Sequence, residues 1–194
     1  MLEAAIDQDP AQSEVESIFY TMREAIMAIW PFVGIPWVVP AALGSVAVLQ
    51  RKGLEHIGSK TFREPMDVDK LLEAGKVINA KTYAKVNNSQ VRELLTLGFP
   101  EMRKSISALV WGYNVSGASK TGLLTEAEVE LVIATAIVAG GATRQSRSHI
   151  KASLGMGNSF DVVEEVVALA TEFNEWNNSP LPNRLSVEEL SKEL

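Results

Sequence analysis

Histidine is the side chain that takes up and releases protons near neutral pH, and this chain has two, His56 and His149. His56 sits in the helix-exit segment Gly53-Leu54-Glu55-His56-Ile57-Gly58 and reads as structural or exposed. His149 belongs to the most basic stretch of the chain, among Arg144, Arg147 and Lys151. Helical spacing puts Gln145 beside His149 and Arg144 beside Ser148. Guanidinium groups there offer bidentate partners to a carboxylate. Upstream, Glu130 stands in an otherwise apolar run, where a carboxylate must be paired or protonated. Each residue also has a plainer reading. His149 fits a hydrogen-bonded core or interface position, and Glu130 fits a structural ion pair with Arg144 or Arg147. The basic residues fit a solvated helix face, and Trp111 and Tyr113 fit either a core or a pocket wall.

Composition removes several chemistries. The chain has 194 residues and no cysteine, which excludes disulfides, thiolate metal sites, iron–sulfur clusters and a cysteine nucleophile. A histidine metal site would need both histidines plus carboxylates, so no metal is expected. With 18 basic against 24 acidic residues the net charge is -6, which disfavours binding to nucleic-acid phosphates. Hydrophobic residues at 46% and charged residues at 22% describe one folded domain over residues 1–194. No phosphate-binding glycine loop, nucleophile elbow or calcium loop is present.

The segment Met1–Asp9 is acidic and lacks bases, unlike a targeting peptide. Trp30–Leu49 is uncharged and long enough to cross a bilayer. Pro31, Pro36 and Pro40 interrupt it, so two helices meeting in a hairpin are expected, with no membrane span and a cytoplasmic location.

Helical spacing dominates, and strand alternation is absent. Ser13 with Glu16 reads as a capping box opening a helix over 14–30. A second helix, starting near Pro36 or Pro40, ends at Gly53 and completes a hairpin over about 14–53. Further helices are expected over 68–86, 90–97 and from Pro100 through Tyr113, followed by a Ser/Gly loop at 116–122. Thr125 with Glu128 caps a helix over 126–139 that is apolar almost all round and therefore buried. Helices over 143–154 and from Asp161 to Trp176 follow. The charged tail 183–194 is expected to add a short helix. The whole reads as an all-α bundle of seven to nine helices.

The run TEAEVELVIATAIVAGGATRQSRSHIKASLGMG, followed by VVEEVVALA, resembles the carboxymuconolactone decarboxylase and alkylhydroperoxidase D-like superfamily. SHIKASLGMG is most similar to the decarboxylase branch. LVWGYNVSGASKTGLLT resembles that branch's aromatic-glycine segment, and MREAIMAIWPFVGIPWVVPAALGSVAVLQ its N-terminal hairpin. The core motif spans about 101–176. The resemblance implies an all-α, oligomeric fold of the alkylhydroperoxidase D-like type, often trimeric or hexameric.

In the hydroperoxidase branch the catalytic pattern is Glu, Cys-x-x-Cys, His. Here Glu130 and His149 take the outer positions, while Ala142 and Gln145 replace the cysteines. A thiol peroxidase needs an attacking thiolate and a resolving thiol, so that activity is excluded. What remains is the decarboxylase-type chemistry the resemblance implies: a cofactor-free lyase, decarboxylase or isomerase. It would act on a small oxygenated anion, a lactone or a polyketide-like acid. His149 would serve as general acid or base with Glu130, and Arg144, Arg147, Gln145, Trp111 and Tyr113 would hold the substrate. The alternative is a binding or scaffold member that has lost the thiols. Exposed apolar area around Trp30–Val39 predicts self-association in either case.

Overall fold

The computed structural model describes residues 2–8, 11–86, 89–181 and 185–194. Among them every regular element is a helix, with no strand. The short α1 (Leu2–Ile6) precedes α2 (Gln12–Val33) and α3 (Ile35–Arg51), which turn at Gly34 (φ 92°) and pack as a hairpin. α2 begins two residues earlier than the Ser13–Glu16 pattern suggests. Glu14 accepts the Ala11 N–H at 2.9 Å, and Glu16 is occupied by the Gln12 side chain at 3.1 Å. The uncharged stretch at 30–49 is thus divided between two helices, and no helix of the described residues is long and apolar enough to cross a membrane. α3 is apolar yet covered on one side only: Trp37 is 76% and Leu43 64% exposed.

A 3₁₀ turn (Glu55–Ser59) and an extended connection lead to α4 (Val68–Thr82), capped by Asp67 accepting from the Lys70 N–H. α4 stops four residues short of the expected end, and Tyr83 leaves it on a turn. α5 (Ser89–Gly98) and α6 (Pro100–Ser105) follow. α6 runs without a break into a wider, π-helical segment (Ile106–Val115) and then α7 (Ser116–Ser119). The first half of the expected 116–122 loop is therefore helix. The π segment packs directly on α4. A methyl group on Gly75 would overlap the Ser107 carbonyl, and one on Gly112 would overlap the Leu71 carbonyl. Only two glycines allow this backbone-to-backbone approach.

α8 (Glu126–Ala139) has the expected limits, with Thr125 and Glu128 exchanging both capping-box hydrogen bonds. Apolar on all sides, it lies against α2, α9 (Thr143–Gly155) and α10 (Phe160–Trp176). α10 is capped by Ser159, one residue ahead of its helix. α11 (Val187–Ser191) closes over α9 and α10. One apolar cluster joins Ala28, Ile78, Trp111, Val129 and Ile133, and a second joins Val138, Ile150, Val163 and Leu190. The candidate site lies where these two meet.

Candidate functional site

Glu130 occupies the buried side of α8 among Val129, Ile133 and Ala134 and is 1% exposed. On α9 the buried residues are Ser146, His149, Ile150, Ala152 and Ser153, which recur at the three-four spacing of one broad helix face. That spacing delivers the imidazole to the carboxylate: His149 Nδ1 lies 2.7 Å from Glu130 Oε1. The other ring nitrogen, Nε2, lies 3.0 Å from the Tyr83 hydroxyl, which α4 supplies at its end. Trp111, carried on the π segment, stacks parallel to the imidazole (6° between planes, centroids 6.5 Å apart). Phe32 and Tyr83 meet the ring edge-on at 5.6 and 5.7 Å. His149 is thereby 4% exposed.

Burial pushes the Glu130 carboxyl above the usual carboxylate range, and the charge and hydrogen bond of His149 partly oppose this. Its second oxygen, Oε2, has no hydrogen-bond partner among the described residues. Burial, together with the negative charge of Glu130, drives the Tyr83 phenol far above its ordinary range, so it stays neutral. The three groups therefore support two proton arrangements. In one, Nδ1–H donates to an ionised Glu130, and the Tyr83 hydroxyl donates to Nε2. In the other, one proton richer, protonated Glu130 donates to Nδ1, Nε2–H donates to the Tyr83 oxygen, and the phenol O–H is released toward its far side.

Tyr83 also lines a cavity of about 880 Å³. Its inner wall includes Phe32, Tyr83, Val110 and Trp111, and Lys85, Arg92 and Arg103 also line it. His149 and Glu130 do not line it; of the hydrogen-bonded chain, only Tyr83 does. The volume is in the range of small-molecule sites.

The structure thus joins Glu130, His149 and Trp111. It does not bring the remaining expected residues to the cavity. Arg144 and Gln145 are exposed, and Arg147 is exposed and paired with Glu193 at 2.7 Å, because all three lie off the inward face of α9. Tyr113 is half-buried on the other side of the π segment. Its carbonyl accepts from Arg63 Nε at 3.1 Å, and its ring lies beneath that guanidinium. Ala142 and Gln145, at the two cysteine positions, are both exposed.

Tyr83, Arg92 and Arg103 carry no role in the sequence reading, and Phe32 enters it only as part of the apolar surface around Trp30–Val39, whereas here it is half-buried against Trp111 and His149. The one available signal was the spacing of Arg103, Ile106, Ser107 and Val110, which places a base on the same face as apolar residues. No family model, curated protein or solved structure matches the chain.

Proposed function

We propose that this protein is a cofactor-independent lyase or isomerase of the carboxymuconolactone decarboxylase and alkylhydroperoxidase D-like type. Its substrate is a small oxygenated anion, a lactone or a polyketide-like acid. The observation that supports this most is the 2.7 Å contact between Glu130 and His149, the pair aligned by the family resemblance, buried one phenol away from a ligand-sized cavity. A substrate C–H proton next to a carbonyl passes to the Tyr83 oxygen as the phenol proton passes to His149 Nε2. The electron pair of the broken C–H bond moves to the carbonyl oxygen, giving an enolate. Glu130 takes up the Nδ1 proton and avoids a buried ion pair. Reversal of the same steps protonates a carbanion left by loss of carbon dioxide. His149 is the general acid or base, acting through Tyr83.

The test is proton exchange in heavy water. A panel of β-keto acids and carboxylated lactones is incubated with the protein, and loss of α-proton signal is followed by NMR. His149→Gln should slow exchange by about 10²–10⁴-fold while preserving the fold. A second reading, a ligand-binding member without catalysis, draws on the enclosure of His149 by Phe32, Tyr83 and Trp111. Exchange no faster than buffer, or equal in His149→Gln, selects that reading.

The same proposal includes self-association, as the resemblance implies. Trp37 and Leu43 on α3, and Phe173 and Trp176 on α10, leave large apolar side chains uncovered. Sedimentation at micromolar concentration should give a multiple of 21.1 kDa, and a monomer would reject it.

A further inference from the structure

Five segments converge on the cavity, the fifth being the chain end at Leu194, and their side chains are sorted by chemistry. The end of α2 gives Phe32, and the turn after α4 gives Tyr83 and Lys85. α5 gives Val91, Arg92 and Leu95, and the rod from α6 into the π segment gives Arg103, Val110 and Trp111. Both spacings are those of a single helix face. Apolar and aromatic surface surrounds the phenol, while Lys85 and Arg92 are exposed and Arg103 is half-buried.

The charge at this rim is unusual for the molecule. The chain is acidic overall, and many other bases are engaged: Lys81 with Glu126, Arg147 and Lys151 with Glu193, Arg63 with Glu24. Lys60, Lys104, Lys120 and Arg144 also lack an ion pair among the described residues, but they are not among the residues lining the cavity, so the distinction of this rim is that three such bases converge on it. Lys85, Arg92 and Arg103 have no ion-pair partner among the described residues, and no Asp or Glu side chain lines the cavity; Leu194, with its terminal carboxylate, also lines it but forms no ion pair with the three. Unneutralised cations beside low-dielectric walls concentrate positive potential at the opening. A guanidinium presents a planar fork that matches a carboxylate, and aromatic walls favour a flat, apolar body.

We infer that the cavity binds an amphipathic aromatic or polycyclic carboxylate, its anionic end held by Arg92 and Arg103 and its ring system packed against Phe32, Val110 and Trp111. Lys85 adds charge at the rim. The carbonyl end of such a ligand faces the Tyr83 hydroxyl. The assignment rests on the reading above that this cavity is the substrate's site, and it moves the anion-holding role from Arg144 and Arg147 to Arg92 and Arg103.

A pair of fluorescent dyes tests it without a known substrate. Anilinonaphthalene sulfonate carries the required rings and an anion; phenylnaphthylamine carries the rings alone. The sulfonate should bind the intact chain more tightly than the uncharged dye, and its affinity should fall with added salt. Arg92→Met and Arg103→Met should each weaken the sulfonate about fivefold to tenfold and leave the uncharged dye unchanged. Arg144→Met should affect neither, and Val110→Trp, which crowds the wall on which the rings pack, should weaken both. A sulfonate that does not bind, shows no preference over the uncharged dye, responds equally to Arg144→Met, or is unchanged in affinity by Val110→Trp overturns the inference. His149→Gln should leave dye binding intact. Lost charge preference with intact proton exchange therefore rejects the anion site alone, and intact charge preference without exchange rejects the enzymatic reading alone.

Discussion

Two glutamates of this protein are almost wholly withdrawn from water, Glu24 at 0% and Glu130 at 1% exposure, and their partners differ in kind. Glu24, on α2, faces permanent cations: Arg63 Nη1 at 2.6 Å and Arg23 Nε at 3.6 Å. The Arg63 guanidinium is itself anchored to the Tyr113 carbonyl. Both cations in that cluster are permanent, because a guanidinium does not release its proton in a folded protein. Glu130 instead faces an imidazole, which gains and loses a proton easily, and a phenol that continues the chain to a cavity. Burial depth is the same in both places. The partner's capacity to titrate separates a structural clamp from a group that can pass a proton.

The largest effect should come from the clamp. Arg63→Met leaves Glu24 buried without its closest cation and should cost about 3–5 kcal/mol of stability, read by urea unfolding. Adding Glu24→Met should recover most of that loss, since a buried pair replaced by apolar groups is often neutral. A small loss in Arg63→Met would mean that Arg23 alone suffices and that the clamp is looser than its geometry.

The next effect sharpens the other side of the comparison. Tyr83→Phe keeps the ring that packs on His149 and Trp111 but removes the hydroxyl. Stability should fall by only about 1 kcal/mol, while proton exchange with a substrate slows by about 10²-fold. Nitrogen-15 NMR gives a readout independent of substrate, because His56 is the only other histidine. The His149 Nε2 resonance should move in Tyr83→Phe, and an unmoved signal would sever the chain between imidazole and cavity.

The smallest effect is a pH dependence. Burial raises the Glu130 carboxyl, so the folded state binds that proton more tightly than the unfolded state does. The resulting stabilisation is complete below the ordinary value of 4.5 and is lost as pH rises through the raised one. Glu130→Gln has no such proton. Wild type should therefore lose melting temperature relative to Glu130→Gln as pH increases above about 4.5. The opposite slope would show that the attraction of His149 outweighs burial.

The elements of the bundle were legible where local chemistry decides them. The limits of α8 follow from the Thr125–Glu128 box and the Gly140-Gly141 stop, and its burial follows from its uniform apolarity. Glu130 and His149 were legible as well, one as the odd charge in an apolar helix and the other as the histidine of the most basic segment. The remainder depends on distant contacts. Tyr83 lies 66 positions before His149, and nothing in its neighbourhood marks it as the phenol that meets this ring. Arg144 and Arg147 were attractive because they are close in sequence, yet the inward face of α9 is set by Ser146, His149, Ile150, Ala152 and Ser153. Glu24 shows a signal that was present but unused: it falls on the Tyr20–Glu24–Ala28 stripe, whose other two members are buried.

The wide turns at 106–115 couple chain length to the cavity. In such a segment each backbone N–H reaches five residues back, which accommodates more residues per turn than an α-helix does. Deleting one residue between Ile106 and Val110 would bring the rod closer to ordinary winding, and everything beyond the cut would rotate by about 100°. Trp111 would swing off the face of His149, and a side chain would arrive where Gly112 now meets the Leu71 carbonyl. A shortened rod could be a sound helix and still have no site. The number of residues before Trp111 is therefore as much a part of the pocket as their identity.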